Sequence, residues 1–144
     1  MKYALILFMA LSMFACGDSK PPAGPAEVHY GEDVCDRCKM IISDQRFAAQ
    51  YTTNTGQVKK FDDFGCMAAE LGNDGGKDEV GGIYVTDFTT SAWLDARKAH
   101  YLKSPDIASP MGYGIAAFGT EAALKADPYN GPGVESGGFD DIME

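Results

Sequence analysis

Apolar positions along the chain follow two different periods, which predict short strands and short helices. Residues 47–53 alternate loosely and end in β-branched residues, and residues 57–61 return after an Asn-Thr-Gly turn, so this stretch predicts a β-hairpin. From residue 64 the apolar positions recur at i, i+3, i+4 and i+7. That spacing predicts an amphipathic helix over 64–71 that ends at Gly72. The first predicted unit therefore has the order β-β-α.

A second set of elements follows a Gly-rich, charged loop. Further strands are predicted at 83–88, 99–103 and 115–118, with a turn or a helical segment at 89–97. A helix over 121–126 begins after Thr120 and stops before Asp127-Pro128. Both units end in a strand followed by a helix. The patterning therefore predicts two similar halves built from strands and helices, which form one small domain or share one core.

The N-terminus has the composition of a targeting segment. After Met1-Lys2 the apolar run is about a dozen residues long, which is too short to cross a bilayer and suits the core of a signal peptide. Cys16 follows Ala15 at the end of this run and resembles the bacterial lipoprotein signal. We expect cleavage before Cys16, lipidation of its thiol and a membrane-anchored protein in the bacterial cell envelope, facing the periplasm or the outer surface. An ordinary cleaved signal is the alternative.

The chain is thus predicted to contain six segments. They are a signal peptide at 1–15, a lipidated Cys and flexible Pro- and Gly-rich tether at 16–27, a first β-β-α unit at 28–72, a linker loop at 73–82, a second β-α unit at 83–128 and an acidic flexible tail at 129–144.

The net charge limits the classes of partner. The chain has 12 Lys and Arg against 21 Asp and Glu, a formal net charge of −9. This acidity argues against nucleic-acid binding and against direct attraction to an anionic membrane surface. It suits a protein of the periplasm or cell surface, although solubility alone would also explain it.

Two thiols and a thioether occur within six residues, at Cys35, Cys38 and Met40. A C-x-x-C pair by itself indicates a redox pair or half of a zinc site. A thioether adds little to either function but suits Cu(I), which prefers thiolate and thioether ligands. If Cys16 is lipidated, three free thiols remain, at Cys35, Cys38 and Cys66. An odd number of thiols is unusual for a protein built on structural disulfides. The motif therefore predicts a soft-metal site for Cu(I), with Cys38 and Met40 as the first ligands and Cys35 as a ligand or a second thiol for handover.

Other residues are weaker candidates for the metal shell. Met111 lies between Pro and Gly, so it is expected on a loop as a ligand from the second unit, although filling the core is the common role of Met. His29 lies six residues before Cys35 and is a further candidate ligand, with a surface or capping role as the alternative. His100 falls in a predicted strand and is assigned a structural role.

Three polar or thiol side chains near the start of the first helix have open roles. Asp62 and Asp63 are most simply helix caps, since a carboxylate is a hard ligand for Cu(I). Cys66 lies in the first turn, where the helix dipole favours a thiolate. Auxiliary ligand, redox-sensitive thiol and idle thiol are the alternatives, of which an idle or regulatory thiol is favoured.

Several functions compete with copper binding. A thiol–disulfide oxidoreductase would use Cys35 and Cys38, but such folds place a helix directly after the motif, and none is predicted here. A zinc site of the three thiols and a His lacks a second C-x-x-C or H-x-x-x-H half. A copper store without a client protein is also compatible with the sequence.

Six motifs together resemble a known family. In chain order they are C-D-x-C-x-M at 35–40, F-D-D at 61–63, S-A-W-L-D-A at 91–96, A-H-Y-L at 99–102, P-M-G-Y-G at 110–114 and A-F at 117–118. With the lipoprotein signal, their order and spacing over 28–126 resemble the NosL family of copper chaperones, which are accessory lipoproteins of nitrous oxide reductase.

The resemblance implies a non-enzymatic, lipid-anchored protein of denitrification that binds one Cu(I). It would pass the ion toward the copper centres of nitrous oxide reductase with help from a membrane ABC-type complex. It also implies an α+β fold of two similar β-β-α-β units packed together, which is shared with the core of organomercurial lyases. An enzyme of that kind, using two thiols and a carboxylate, is a further alternative. A dimer bridged by shared metal is also possible, because exposed thiolates can join two chains.

Overall fold

A computed structural model describes residues 24–143. In chain order its elements are β1 (Ala49–Thr53), β2 (Val58–Phe61), α1 (Phe64–Asn73), β3 (Val80–Thr86), β4 (Trp93–Asp95), a 3-10 helix (Ala96–Lys98), β5 (His100–Lys103), β6 (Ile115–Phe118), α2 (Glu121–Ala126), β7 (Glu135–Gly137) and α3 (Phe139–Met143). The predicted signal peptide and Cys16 lie outside the described residues.

The strands form two antiparallel sheets with the orders β2-β1-β3-β4 and β6-β5-β7. In each sheet a hairpin is followed by a helix, and the next strand returns to pair with the first strand of the hairpin. Tyr51 of β1 thus lies opposite Lys59 and Ile83, and Tyr101 of β5 lies opposite Ala117 and Gly137. The prediction of an α+β fold with two similar β-β-α-β units is confirmed.

The limits of the two units differ from the predicted ones. β3 begins inside the predicted linker at Val80 and belongs to the first unit, because it pairs with β1. The flexible tail predicted at 129–144 is wrong over 135–143, where β7 pairs with β5 and α3 buries Phe139 and Ile142. Both β3 and β7 pair with a strand that lies far away in the chain. Local periodicity carries no information on such pairing.

Two other segments also differ from the prediction. The stretch around Trp93 is the edge strand β4 followed by a 3-10 helix, which Asp95 caps by accepting a hydrogen bond from Arg97 N. The predicted tether is attached at its C-terminal end, because Ala26 N donates to Gln50 Oε1 at 2.8 Å and Gln50 Nε2 donates to Ala26 O at 3.0 Å. Within residues 24–143, no helix has the length and apolar composition needed to cross a membrane.

One apolar core extends across both units. Phe64, the first residue of α1, packs against Tyr101 of β5 with ring centroids 5.0 Å apart, and against Phe139 of α3 at 6.1 Å. Asp87 also joins the two sheets, since its buried carboxylate accepts hydrogen bonds from Gly119 N and from the Thr89 and Thr90 backbone. The contacts of Phe64 hold the N-terminal end of α1 against the second unit.

Candidate metal centre

The first part of the site is the start of α1. Asp63 has an extended backbone, and its side chain accepts a hydrogen bond from Gly65 N at 2.9 Å, so α1 begins at Phe64. This confirms that Asp63 is a cap. Asp62 is not a cap: its carboxylate is buried and faces the thiols. Cys66 follows in the first turn, four residues after Asp62, and is also buried.

The second part of the site is the tight turn that carries the C-x-x-C motif. Cys35 N donates to Met40 O at 2.8 Å, and Lys39 N donates to Cys35 O at 3.1 Å. Lys39 has a positive φ of 65°, which closes the turn. The turn docks on β2, because Asp36 N donates to Lys60 O at 2.8 Å and Lys60 N donates to Asp36 Oδ2 at 2.7 Å. Docking on β2 brings the motif beside the start of α1.

Four donor atoms converge where these two parts meet. The Sγ atoms of Cys35, Cys38 and Cys66 and a carboxylate oxygen of Asp62 all lie within 4.8 Å of one another. Cys38 Sγ lies 3.4 Å from Asp62 Oδ1 and 3.3 Å from Oδ2, so the thiol donates to the carboxylate. These four residues are called the thiol cluster below. Three of them are buried and Cys38 is half-buried, so solvent reaches the cluster at Cys38.

Electrostatics in the thiol cluster favour the protonated forms of Cys35 and Cys66 when no cation is bound. Burial raises the pKa of Cys35 to about 11. Burial also raises the pKa of Cys66, and the negative charges that Cys35, Asp62 and Cys38 can carry raise it further. A bound cation would reverse both effects, because it stabilises thiolates and displaces their protons. The donor set suits a soft metal ion, with one harder carboxylate oxygen added.

The structure brings together only some of the predicted ligands. Cys35 and Cys38 belong to the thiol cluster, and Cys66, for which an idle or regulatory role was favoured, belongs to it as well. The available signal for this pair was the short separation between Asp62, just before the helix start, and Cys66 in the first turn. His29 lies outside the cluster, with its exposed ring 3.8 Å from Asp33.

The two predicted methionine ligands lie on the surface next to the thiol cluster. Met40 and Met111 are 48% and 40% exposed. The Met40 backbone contacts Cys35, and Met111 N donates to Asp63 Oδ2 at 3.1 Å. Neither side chain is used to fill the core. Their roles as thioether ligands stay predictions.

Comparison with known proteins agrees with the motifs. The NosL family model matches residues 25–143. The chain belongs to the NosL family. No curated protein matches this NosL family member. A similar solved structure is the crystal structure of the copper chaperone NosL from Shewanella denitrificans, with a TM-score of 0.67 and 22% sequence identity. The match covers 83% of this chain and 96% of that chain, and it shows a shared fold.

Proposed function

We propose that this NosL family member is a Cu(I) chaperone. The observation that carries the proposal is the convergence of three thiols on one point, at Cys35, Cys38 and Cys66. Thiolates are the ligands that Cu(I) prefers, and two exposed methionines, Met40 and Met111, are held through their backbones by hydrogen bonds to Cys35 and Asp63. The similar solved structure is that of a copper chaperone, which supports the same function.

The unequal exposure of the ligands suits a carrier rather than a store or an enzyme. Cys38 is half-buried and Met40 is exposed, so an acceptor protein can reach these two donors while Cys35 and Cys66 still hold the ion. Transfer then proceeds by ligand exchange, in which a donor of the partner replaces one donor of this protein at a time. The oxidation state of Cu(I) does not change, and each released thiolate takes up the proton that the incoming thiol of the partner gives up.

The destination and the anchor come from the family resemblance. We infer that the acceptor is the assembly pathway of nitrous oxide reductase, which includes its membrane ABC-type complex, and that Cys16 carries the lipid anchor. Transfer is tested by mixing the Cu(I)-loaded protein with copper-free reductase and measuring copper in each after separation. Anchoring is tested with Cys16→Ser, which should move the protein from the membrane fraction to the soluble fraction.

Copper binding itself is tested by anaerobic titration of the chain from Ser19 onward with Cu(I), in competition with a Cu(I) chelator. One Cu(I) per chain is expected, with Cys38→Ala losing the competition against the chelator. Retention of Cu(I) by Cys38→Ala at the wild-type affinity would contradict the proposed site. Failure of the wild-type protein to take any Cu(I) from the chelator would contradict the proposed function.

Zinc binding is a second candidate, and one observation favours it. The fourth donor of the cluster is Asp62, and three thiolates with one carboxylate oxygen form a shell that tetrahedral Zn(II) accepts. Asp62→Ala distinguishes the two ions. The substitution should weaken Zn(II) binding, which uses the carboxylate, and should leave the thiolate-based binding of Cu(I) nearly unchanged. A parallel titration with Zn(II) gives the comparison.

A further inference from the structure

Asp63 contacts two parts of the chain that lie far apart in sequence. Its Oδ1 accepts a hydrogen bond from Gly65 N at 2.9 Å and caps α1, which carries Cys66. Its Oδ2 accepts a hydrogen bond from Met111 N at 3.1 Å, across a separation of 48 residues. The side chain is buried. One carboxylate thus joins the helix start of the first unit to the loop of the second unit.

A second contact holds the same loop on the same helix. Tyr113 lies over Gly65, where any Cβ atom would overlap the aromatic ring. The loop is braced internally, since Gly114 N donates to Ser109 Oγ at 3.0 Å and Gly112 N donates to Ser109 O at 2.9 Å. The loop of residues 109–114 is called the Met111 loop below. The loop contacts the start of α1 at two points: the carboxylate of the cap residue Asp63, and Gly65, which has no side chain.

We propose that Asp63 is a positioning residue for the metal centre. It holds the Met111 loop against the start of α1, so that the exposed Met111 thioether binds the ion carried by the thiol cluster. This inference rests on the proposed Cu(I) function and names the residue that makes the second unit part of the site. Asp63 itself is not one of the four converging donors, and its two oxygens accept hydrogen bonds from Gly65 N and Met111 N.

Asp63→Asn separates the positioning role from the capping role. Asn is as good an N-cap as Asp, so its side-chain oxygen can still accept from Gly65 N. The amide nitrogen then faces Met111 N–H, where two donors oppose each other and no hydrogen bond forms. The variant keeps α1 and releases the Met111 loop. Gly65→Ala releases the loop by a different route, because the new methyl group displaces Tyr113.

The experiment is a double-mutant cycle of Cu(I) affinity in chelator competition. Met111→Leu removes the thioether at similar volume, and Asp63→Asn should weaken Cu(I) binding to a similar extent, by about 10- to 100-fold, as is typical for a residue that orients a metal ligand. The Asp63→Asn/Met111→Leu double variant should bind no more weakly than Met111→Leu alone. Additive losses would overturn the proposal, because they would show that Asp63 acts on the site without Met111.

A readout without metal tests the loop contact directly. Hydrogen exchange of the Met111 amide, followed by NMR in the copper-free protein, should be slow in wild type and faster in Asp63→Asn and Gly65→Ala. Asp95→Asn is the matched control, since Asp95 also caps a helix but accepts its capping hydrogen bond from Arg97 N rather than from the loop. Unchanged exchange of the Met111 amide in both loop variants would overturn the proposal.

The outcomes also separate this inference from the proposed function. If Cys38→Ala loses Cu(I) while Asp63→Asn and Gly65→Ala bind it at the wild-type affinity, the chaperone function stands and the positioning role fails. If the wild-type protein takes no Cu(I), both fail together. The metal-free exchange data then still report whether Asp63 seats the loop.

Discussion

The half-buried thiol of Cys38 lies 3.3 Å from Oδ2 of Asp62, a carboxylate with only 2% of its surface exposed. A buried carboxylate needs a hydrogen-bond donor or a cation, and this thiol supplies a donor. The contact joins residues 24 positions apart in sequence. It also places the accessible thiol of the cluster against its hardest donor, so metal binding at Cys38 must replace this hydrogen bond.

Cys66→Ala is expected to weaken Cu(I) binding, although the sequence favoured an idle or regulatory thiol at this position. Loss of a residue that only orients a ligand already costs about 10- to 100-fold in metal affinity, so loss of a thiolate ligand should cost at least as much. Chelator competition under anaerobic conditions measures the change. Met67→Leu is the matched control, because Met67 is the next residue of α1 and belongs to the buried apolar core. Equal affinities for Cys66→Ala and Met67→Leu would remove Cys66 from the site.

Alkylation should distinguish the three thiols in the reduced, metal-free protein. Cys38 is half-buried and should react first with iodoacetamide. Cys35 and Cys66 should react only after unfolding, since burial hides them and raises the pKa of both thiols. Peptide mapping by mass spectrometry measures the order. Cys38→Ala should lose the early modification, and modification of Cys66 in the native state as fast as Cys38 would contradict the burial.

Asp87→Asn is expected to destabilise the fold in a pH-dependent way. Burial raises the pKa of Asp87, but hydrogen bonds from Gly119 N and from Thr90 outweigh it and leave the pKa below the ordinary 3.8. Because the pKa is lower in the folded state, the ionised carboxylate stabilises the fold at pH values above 3.8. This stabilisation is lost as the pH falls through the folded-state pKa. Asn loses one acceptor toward these donors, which should cost about 1–3 kcal/mol at pH 7.

Urea unfolding of Asp87→Asn and wild type, at pH 7 and below pH 3, tests the predicted pH dependence of the destabilisation. The difference in the free energy of unfolding should shrink at the lower pH, where wild-type Asp87 becomes protonated. Asp106→Asn is the control at an exposed carboxylate. A difference between Asp87→Asn and wild type that stays constant over this range would show that the charge of Asp87 plays no part.

Phe139→Ala should destabilise the whole fold, because α3 belongs to the core. Phe139 is buried and packs against Phe64 and Tyr101. Truncation of a buried Phe typically costs about 3–5 kcal/mol, a large part of the stability of a small domain. Thermal unfolding measures the effect. Pro132→Ala, at an exposed position of the same segment, should have little effect, and equal melting temperatures for the two variants would indicate that α3 does not pack as described.

The sequence by itself determined the local elements and the soft donors. The hairpin over β1 and β2, the start of α1 at Phe64 and the capping of α2 by Thr120 all follow from periodicity and capping within a few residues. The C-x-x-C-x-M motif indicated soft-metal chemistry because the residues concerned are neighbours in the chain. Such features can be predicted because they depend on interactions between nearby residues.

Only the tertiary structure decided which strands complete each unit and which donors form the site. β3 pairs with β1, and β7 pairs with β5, after excursions through a helix and a loop. Cys66 and Asp62 meet the C-x-x-C turn only because that turn docks on β2 beside the start of α1. The physical reason is that these contacts depend on the packing of elements against one shared core. No local pattern in the chain specifies which distant residue a buried thiol or a strand edge will face.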